Sequence, residues 1–456
     1  NGMVVSTDEY ATQVGVEILQ AGGNAIDAAI AVQFALAVVN PEAGNIGGGG
    51  FMVVRSASGE HAARDYREKA PLAATRDMFL DADGNLTNKS VVGHLAAGVP
   101  GTVSGMWAAH ERFGTLAWSD LVQPAVDLAD GFQVRERFLG SLGASMVEAL
   151  SAYPASASQF LPRDGAPPLV GDTLRQPDLA ATLGRIRDQG TDGFYGGRTA
   201  DLIVAEMERG GGIMTREDLA SYEAAWRDPI TFSYRGHTVV SMPPSSSGGA
   251  TMAEMANILE GYDLGSMGWH STQQIHLFAE AAKRAYADRN HYLADPDFVE
   301  MPLGRMTSMA YAQERAASIS ATAATPSADV GPGMEGGPDE GENTTHFSIV
   351  DAAGNAVSVT TTINSWYGSK VTVAGAGFVL NNEMDDFAAK PGTPNQFGLV
   401  QGENNAVGRA SACSRQCRPR SCSGRMETSS WSRARRADPR SSRPSSRRSR
   451  TLSTTA

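Results

Sequence analysis

The stretch from Ala25 to Val39 constrains the fold of this chain more than any other. It is apolar around nearly its whole circumference, Asn24 stands before it as a helix N-cap, and Asn40 and Pro41 end it. A helix that is apolar on every face has to be buried on every face. The sequence therefore predicts a helix inside a large core, for which 456 residues are ample.

Other periodic segments surround this helix along the chain. Helices are predicted over residues 9–20, 102–113, 119–129, 179–188, 249–259 and 271–292, and strands over 51–55, 61–66, 230–234 and 237–242. The glycine run 47–50 precedes a strand, whereas phosphate-binding loops follow one, so it predicts close backbone packing. Residues 326–342 are rich in Gly, Pro and acid and are interpreted as an exposed, mobile loop.

From residue 344 the pattern changes to a period of two. Thr344, His346 and Ser348 fall on one face of a predicted strand, and the turn at 353–355 leads into a second strand over 356–364. Thr362 and Asn364 lie two residues apart and so point the same way. A third apolar segment, 377–380, runs into a polar turn at 381–386.

Charge and cysteine content exclude several classes of protein. The segment 408–456 has 13 Arg and no Lys against two acids, a charge of +11, so the total of -12 leaves -23 on residues 1–407. The acidic body is not expected to bind nucleic acid, and all three cysteines lie in the tail. No apolar run reaches the length of a membrane helix, and the eight histidines lack metal-ligand spacing. We expect no metal and no cofactor.

Thr344 is a candidate nucleophile because it heads a strand directly after the predicted mobile loop. If the chain were cut before Thr344, its own α-amine, with a pKa of about 7.7, would serve as the base for the hydroxyl. The hydroxyl could make that cut by attacking the carbonyl of Asn343, giving an ester that water hydrolyses. The alternative is a polar edge of a hairpin, which the residues alone leave open.

Longer motifs resemble those of the γ-glutamyltranspeptidase family. In the second part of the chain they are TTHFSIVD (344–351), NAV (355–357), TTTINS (360–365) and LNNEMDDF (380–387). In the first part they are AGGNAIDAA (21–29), GGGGF (47–51), DYREKAP (65–71), VPG (99–101) and ADR (287–289). The resemblance extends from Gly2 to about Val407.

This resemblance implies an α+β fold, the four-layer αββα sandwich of N-terminal-nucleophile hydrolases, with two stacked antiparallel sheets between helical layers. It also implies a precursor that cleaves itself between Asn343 and Thr344, with Thr344 as the nucleophile. Thr362 is similar to the residue that supports the new amine. Arg67 is similar to the clamp on the α-carboxylate of the γ-glutamyl group, and Asn364, Glu383 and Asp386 are similar to the holders of its amino end.

These implied roles agree with the chemistry of the residues. An Arg grips a carboxylate through two parallel charge-assisted hydrogen bonds, and an ammonium is held by carboxylate and amide oxygens. Each role has a plainer alternative. Arg67 beside Glu68 could be a surface ion pair, and Glu383 and Asp386 could be turn formers.

The family's motifs stop near residue 407, which suggests three segments. Residues 1–343 correspond to the large subunit, 344–407 to the start of the small subunit, and 408–456 to an Arg/Ser-rich tail that has no strand or helix period and that we expect to be disordered. The family would continue with a Ser-Ser pair and an oxyanion-forming Gly-Gly pair. We interpret the tail as a reading-frame shift near Gly408; the alternative is a genuine tail that binds nucleic acid or an anionic surface.

The function implied by the resemblance is transfer or hydrolysis of γ-glutamyl groups. Glutathione and related compounds would be the donors, and amino acids, peptides or water would be the acceptors. The two subunits would form a heterodimer that is either periplasmic or secreted. One alternative is a glutaryl or cephalosporin acylase of the same fold. The other is a remnant that does not mature, because the closing motifs are missing.

Overall fold

A computed structural model describes residues 1–333, 344–398 and 405–407, together with the backbone of 420–423. Asn343 and most of the tail lie outside the described residues. The helices are α1 Glu9–Gln20, α2 Ala25–Val39, α3 Thr102–Phe113, α4 Trp118–Asp130, α5 Glu136–Leu139, α6 Ala144–Ser151, α7 Pro154–Phe160, α8 Pro177–Gln189, α9 Asp192–Tyr195, α10 Gly197–Gly210, α11 Arg216–Ala220, α12 Gly248–Glu260, α13 Thr272–Tyr292, α14 Leu303–Met306 and α15 Met309–Ala316.

The strands are β1 Met3–Val5, β2 Gly49–Arg55, β3 His61–Asp65, β4 Phe132–Gln133, β5 Thr173–Leu174, β6 Ala225–Arg227, β7 Ile230–Tyr234, β8 His237–Ser241, β9 Thr345–Val350, β10 Ala356–Thr362 and β11 Arg420–Ser423. Short 3-10 helices occupy Asn88–Ser90, His94–Ala96, Ser327–Asp329 and Glu383–Asp386. The last of these replaces the irregular polar turn that the sequence predicts at 381–386.

Two antiparallel sheets form the middle of the fold. Six strands run in the order β1-β9-β10-β2-β3-β6, and three run in the order β11-β8-β7. Phe51 and Val53 of β2 pack with Val240 and Met242 between the sheets, while the alternate residues of β2 face the helices. This alternation is the strand period of two expressed in packing. Helices α1, α2 and α3 contact the first sheet, with α4 packed on α2 and α8 on α4. Helix α12 contacts the second sheet, with α13 and α15 packed on α12.

Helix α2 occupies the position that its sequence predicts. Every residue from Ala25 to Val39 is buried. Asn24 and Asp27 form a reciprocal capping box at its first turn, which satisfies N–H groups that a helix leaves open. Gln33, the polar residue that interrupts the apolar run, donates a hydrogen bond to Thr361 Oγ1 at 3.1 Å. The buried helix therefore also supports the end of β10.

The glycine run 47–50 packs against neighbouring backbone, as the sequence predicts. A Cβ on Gly47 would lie 2.1 Å from the carbonyl oxygen of Val379, and one on Gly48 would lie 2.2 Å from that of Thr362. Side chains at these positions would push apart the strands that end at the site. Close approach of backbone, rather than phosphate binding, therefore accounts for the run.

The tail contains a strand that the sequence analysis did not predict. Residues 420–423 form β11, which pairs antiparallel with β8 in the register Arg420↔Ser241 to Ser423↔Thr238. The edge of β8 offers unpaired backbone groups, and such an edge can accept an extended segment regardless of its side-chain pattern. The tail has no period of two, so its sequence carries no signal for this strand.

Candidate active site

Thr344 and Thr362 lie at the same end of the β9–β10 hairpin. Thr344 is exposed and stands directly before β9, and Thr345 pairs with Thr361. Thr362 ends β10, is 1% exposed, and accepts a hydrogen bond from the backbone N–H of Asn364 at 2.8 Å. One cavity of about 300 Å³ is lined by Thr344, Thr345, Thr362 and Asn364. The hairpin that the period-two pattern predicts thus brings the candidate nucleophile and its supporting residue to one cavity.

Asn364 connects this cavity to the 381–386 segment. Its side-chain amide donates to the carbonyl of Asn382 at 2.7 Å, and its φ of 75° is a left-handed conformation that Asn tolerates. Asn381 Oδ1 accepts hydrogen bonds from the N–H groups of Glu383, at 3.0 Å, and Gly98, at 2.8 Å. Asn381 and Asn382 therefore fix the segment, a role that the sequence analysis did not assign to them.

Arg67, Glu383 and Asp386 meet in a buried charged cluster. Arg67 is 1% exposed, and its Nη2 lies 2.7 Å from Glu383 and 3.5 Å from Asp386, while its Nη1 lies 3.3 Å from Glu68. Arg67 with Glu68 is thus a buried pair, and the alternative of a surface ion pair is wrong. Among the described contacts, one guanidinium stands against three carboxylates, so this set, referred to below as the Arg67 cluster, has an excess of negative charge.

Glu42 and Arg137 complete the cavity, and the sequence analysis missed both. Glu42 is 4% exposed, and within the described part of the chain its Oε2 has no hydrogen-bond partner. Arg137 Nη2 lies 3.2 Å from Glu42 Oε1 and donates to Asn40 Oδ1 at 2.8 Å, while its side chain remains 50% exposed. The sequence signal that could have found Glu42 is its position three residues after the end of the all-apolar helix α2.

Burial raises the pKa of the Glu42 carboxyl from 4.5 to about 7, although the nearby Arg137 charge lowers it. Between pH 4.5 and about 7, the folded chain holds the Glu42 proton more tightly than the unfolded chain does. The free energy of unfolding therefore falls as the pH rises through this range. We expect Glu42→Gln to raise the free energy of unfolding by about 3 kcal/mol at pH 8 and by much less at pH 5. Thermal unfolding at both pH values checks this, with exposed Glu208→Gln as the control; an equal gain at both would contradict it.

The structure therefore groups the predicted site residues into two neighbouring sets. Thr344, Thr362 and Asn364 line the cavity, and the Arg67 cluster lies outside its lining. The link between them runs through Asn364 to Asn382. Asn343 lies outside the described residues. Among the described residues, no group of three or more His, Cys, Asp or Glu side chains is arranged to hold a metal ion.

Comparison with known proteins shows which of them this chain is similar to. A family model described as gamma-glutamyltranspeptidase matches residues 11–412. A glutathione hydrolase proenzyme from Pseudomonas sp. (strain A14) is 51% identical over 410 residues, which cover 90% of this chain and 71% of that protein. The gamma-glutamyltranspeptidase of Helicobacter pylori superposes with a TM-score of 0.72 at 45% identity, covering 75% of this chain and 98% of that one. The cephalosporin acylase of Bacillus halodurans superposes with a TM-score of 0.81 at 28% identity, covering 93% of this chain and 75% of that one.

Two stacked antiparallel sheets between helical layers, with a threonine at the head of a central strand, define an N-terminal-nucleophile hydrolase. Within that class, the chain belongs to the γ-glutamyltranspeptidase family. The resemblance and the fold class inferred from the motifs are confirmed. None of the helices in the described ranges combines the length and apolar character needed to cross a membrane.

Proposed function

We propose that this chain transfers γ-glutamyl groups from glutathione and related compounds to water, amino acids or peptides, using Thr344 as the nucleophile. The observation that carries the proposal is the Arg67 cluster beside the Thr344 cavity. A γ-glutamyl group ends in an amino-acid head with one carboxylate and one ammonium. Arg67 would bind that carboxylate, and Glu383, Asp386 and Asn364 would bind the ammonium.

The charge of the cluster supports this assignment. Buried carboxylates in excess over their cations are costly unless a further cation balances them, and a substrate ammonium supplies one. Arg67 Nη2 lies closer to Glu383, at 2.7 Å, than to Asp386, at 3.5 Å. Asp386 is therefore the carboxylate farther from Arg67 Nη2, and we assign it the main contact with the substrate ammonium.

Maturation would come first. The Thr344 hydroxyl attacks the Asn343 carbonyl, the peptide C–N bond breaks as an ester forms, and water hydrolyses the ester. This frees the α-amine of Thr344 and yields the large and small subunits of a heterodimer. Thr362, whose hydroxyl already accepts a hydrogen bond at 2.8 Å from Asn364, would orient the new amine.

Catalysis would then use the same hydroxyl. Thr344 Oγ attacks the γ-carbonyl, its proton passes to the α-amine, and the amine returns a proton to the departing nitrogen. A γ-glutamyl ester remains on Thr344. Water or an acceptor amine attacks that ester, and the C–O bond breaks to regenerate the hydroxyl. A pKa of about 7.7 for an α-amine suits both halves of this proton transfer near neutral pH.

The main alternative is an acylase, which the likeness to a cephalosporin acylase favours. A glutaryl group has the same length as γ-glutamyl but lacks the α-ammonium. Comparing γ-glutamyl- with glutaryl-p-nitroanilide decides between the two. We expect a higher kcat/KM for the γ-glutamyl compound, whereas a higher value for the glutaryl compound would favour the acylase.

Asp386→Asn sharpens this comparison. The change keeps the size of the side chain and removes the charge that faces the ammonium, and a charge-assisted hydrogen bond is worth about 1.5–3 kcal/mol. We expect kcat/KM for γ-glutamyl-p-nitroanilide to fall by about ten- to a hundredfold, with a smaller change for the glutaryl compound. Asp385→Asn serves as the control, because Asp385 accepts hydrogen bonds from Ser90 Oγ at 2.8 Å and from the Gln396 N–H at 3.2 Å. Equal losses for both substrates in Asp386→Asn would contradict the assigned contact.

Family membership extends the proposal to location. We propose that the protein acts in the periplasm or outside the cell, where extracellular γ-glutamyl compounds are available. Fractionation of the source cells, followed by assay of each fraction with γ-glutamyl-p-nitroanilide, tests this. Activity confined to the cytoplasmic fraction would contradict it.

A further inference from the structure

The cavity beside Thr344 has more charged lining than the γ-glutamyl head requires. In the proposed binding mode the head lies at the Arg67 cluster and its γ-carbonyl at Thr344, so the cavity remains for the group on the other side of the scissile amide. That group is the departing amine in the first half of the reaction and the acceptor amine in the second. The inference below therefore rests on the proposed function.

The lining of this cavity also includes Glu42 and Arg137. Glu42 is almost fully buried, and its Oε2 lacks a hydrogen-bond partner among the described residues. A buried carboxylate oxygen without a partner is costly, and a ligand donor that reaches it removes that cost. Because Glu42 is one of the residues that line the cavity, its carboxylate is the acceptor that a ligand N–H group there would use.

Arg137 supplies the opposite charge on the same wall. Its side chain is half exposed, and both of its contacts with Glu42 and Asn40 use Nη2. A guanidinium carries five N–H donors in a fixed fork, so its other donors have capacity for a second partner. A carboxylate in the cavity is the ligand group that this fork fits best.

We propose that Glu42 and Arg137 form the subsite for the amine-bearing partner and select amino acids and peptides with a free carboxylate. Glu42 Oε2 accepts a hydrogen bond from the amino group of the partner. Arg137 binds its terminal carboxylate. Arg137 is then the residue that distinguishes a peptide acid from the corresponding amide or from a simple amine.

A binding measurement on the full chain tests this without requiring turnover. Glycylglycine and glycylglycinamide share the amino group and differ in the terminal carboxylate. We expect the wild-type chain to bind the acid at least about tenfold more tightly in a calorimetric or NMR titration at pH 7.5. Arg137→Ala is expected to abolish this preference, so that the two affinities differ by a factor of about one. Arg137→Lys is expected to keep part of the preference.

Arg135→Ala is the matched control. Arg135 lies two residues away, pairs with Glu9 and stacks over Tyr10 at 4.2 Å, and is outside the cavity lining. It should leave the acid preference intact. Glu42→Gln should weaken binding of both probes by a similar factor, because both carry the amino group. An unchanged preference in Arg137→Ala, or a wild-type chain with no preference, would overturn the proposal.

Failure of this subsite is distinguishable from failure of the proposed function. The function predicts a γ-glutamyl ester on Thr344, seen as a mass increase of the small fragment after mixing with donor. An ester without any acid preference in the dipeptide titration overturns only the subsite. An Arg137-dependent preference without any ester supports the subsite and overturns γ-glutamyl transfer.

Discussion

Thr344→Ala is expected to leave the chain as one species of about 48 kDa, whereas the wild-type chain separates into two fragments that meet between Asn343 and Thr344. The physical reason is that both bond cleavage and catalysis in the proposed mechanism need the same hydroxyl. The structure places Thr344 at an exposed position before β9, in the lining of the cavity. Intact mass spectrometry of the purified chain measures the outcome directly.

Thr344→Ser is the matched control for this variant. Serine keeps the hydroxyl and loses only a methyl group, so we expect cleavage at the same bond at a reduced rate. Cleavage of Thr344→Ala between the same residues would show that another group makes the cut. A wild-type chain that stays uncut would favour the alternative of a remnant that does not mature, and the chain would then be an enzyme by ancestry alone.

Arg67→Lys is expected to lower kcat/KM for γ-glutamyl-p-nitroanilide by about a hundredfold or more. A lysine ammonium keeps the positive charge among the three carboxylates but cannot form the two parallel hydrogen bonds that a guanidinium gives an α-carboxylate. Two such bonds, at about 1.5 kcal/mol or more each, account for the loss. Steady-state kinetics together with the thermal unfolding midpoint measure both function and folding.

The comparison with Arg67→Ala separates the two contributions of this side chain. Removing the cation leaves Glu68, Glu383 and Asp386 buried without it, and breaking a buried ion pair in this way costs about 3–5 kcal/mol. We therefore expect Arg67→Ala to unfold at a much lower temperature. Arg64→Lys is the matched control, since Arg64 is also buried and lies 4.9 Å from the Trp226 ring. Unchanged kinetics in Arg67→Lys would show that Arg67 acts only in folding.

The elements that local signals specify were predictable from the sequence. Helix α2 has the predicted bounds because its apolar run and its Asn24 cap lie within one continuous segment. The β9–β10 hairpin was predictable because the period of two on both sides of a Gly-Asn turn needs only neighbouring residues. Helices such as α7, α10 and α15 were not predicted, because their stability comes from packing on surfaces that distant segments provide.

The sequence by itself thus determined the family, the hairpin and the identity of Thr344 as the candidate nucleophile. Only the tertiary structure decided which side chains share a site. Arg67 meets Glu383 across 316 residues of chain, Glu42 meets Arg137 across 95, and β1, at the start of the chain, pairs with β9. Residue spacing carries no information about such contacts, because two sheets and their helical layers have to assemble before these charges come within a few ångströms of each other.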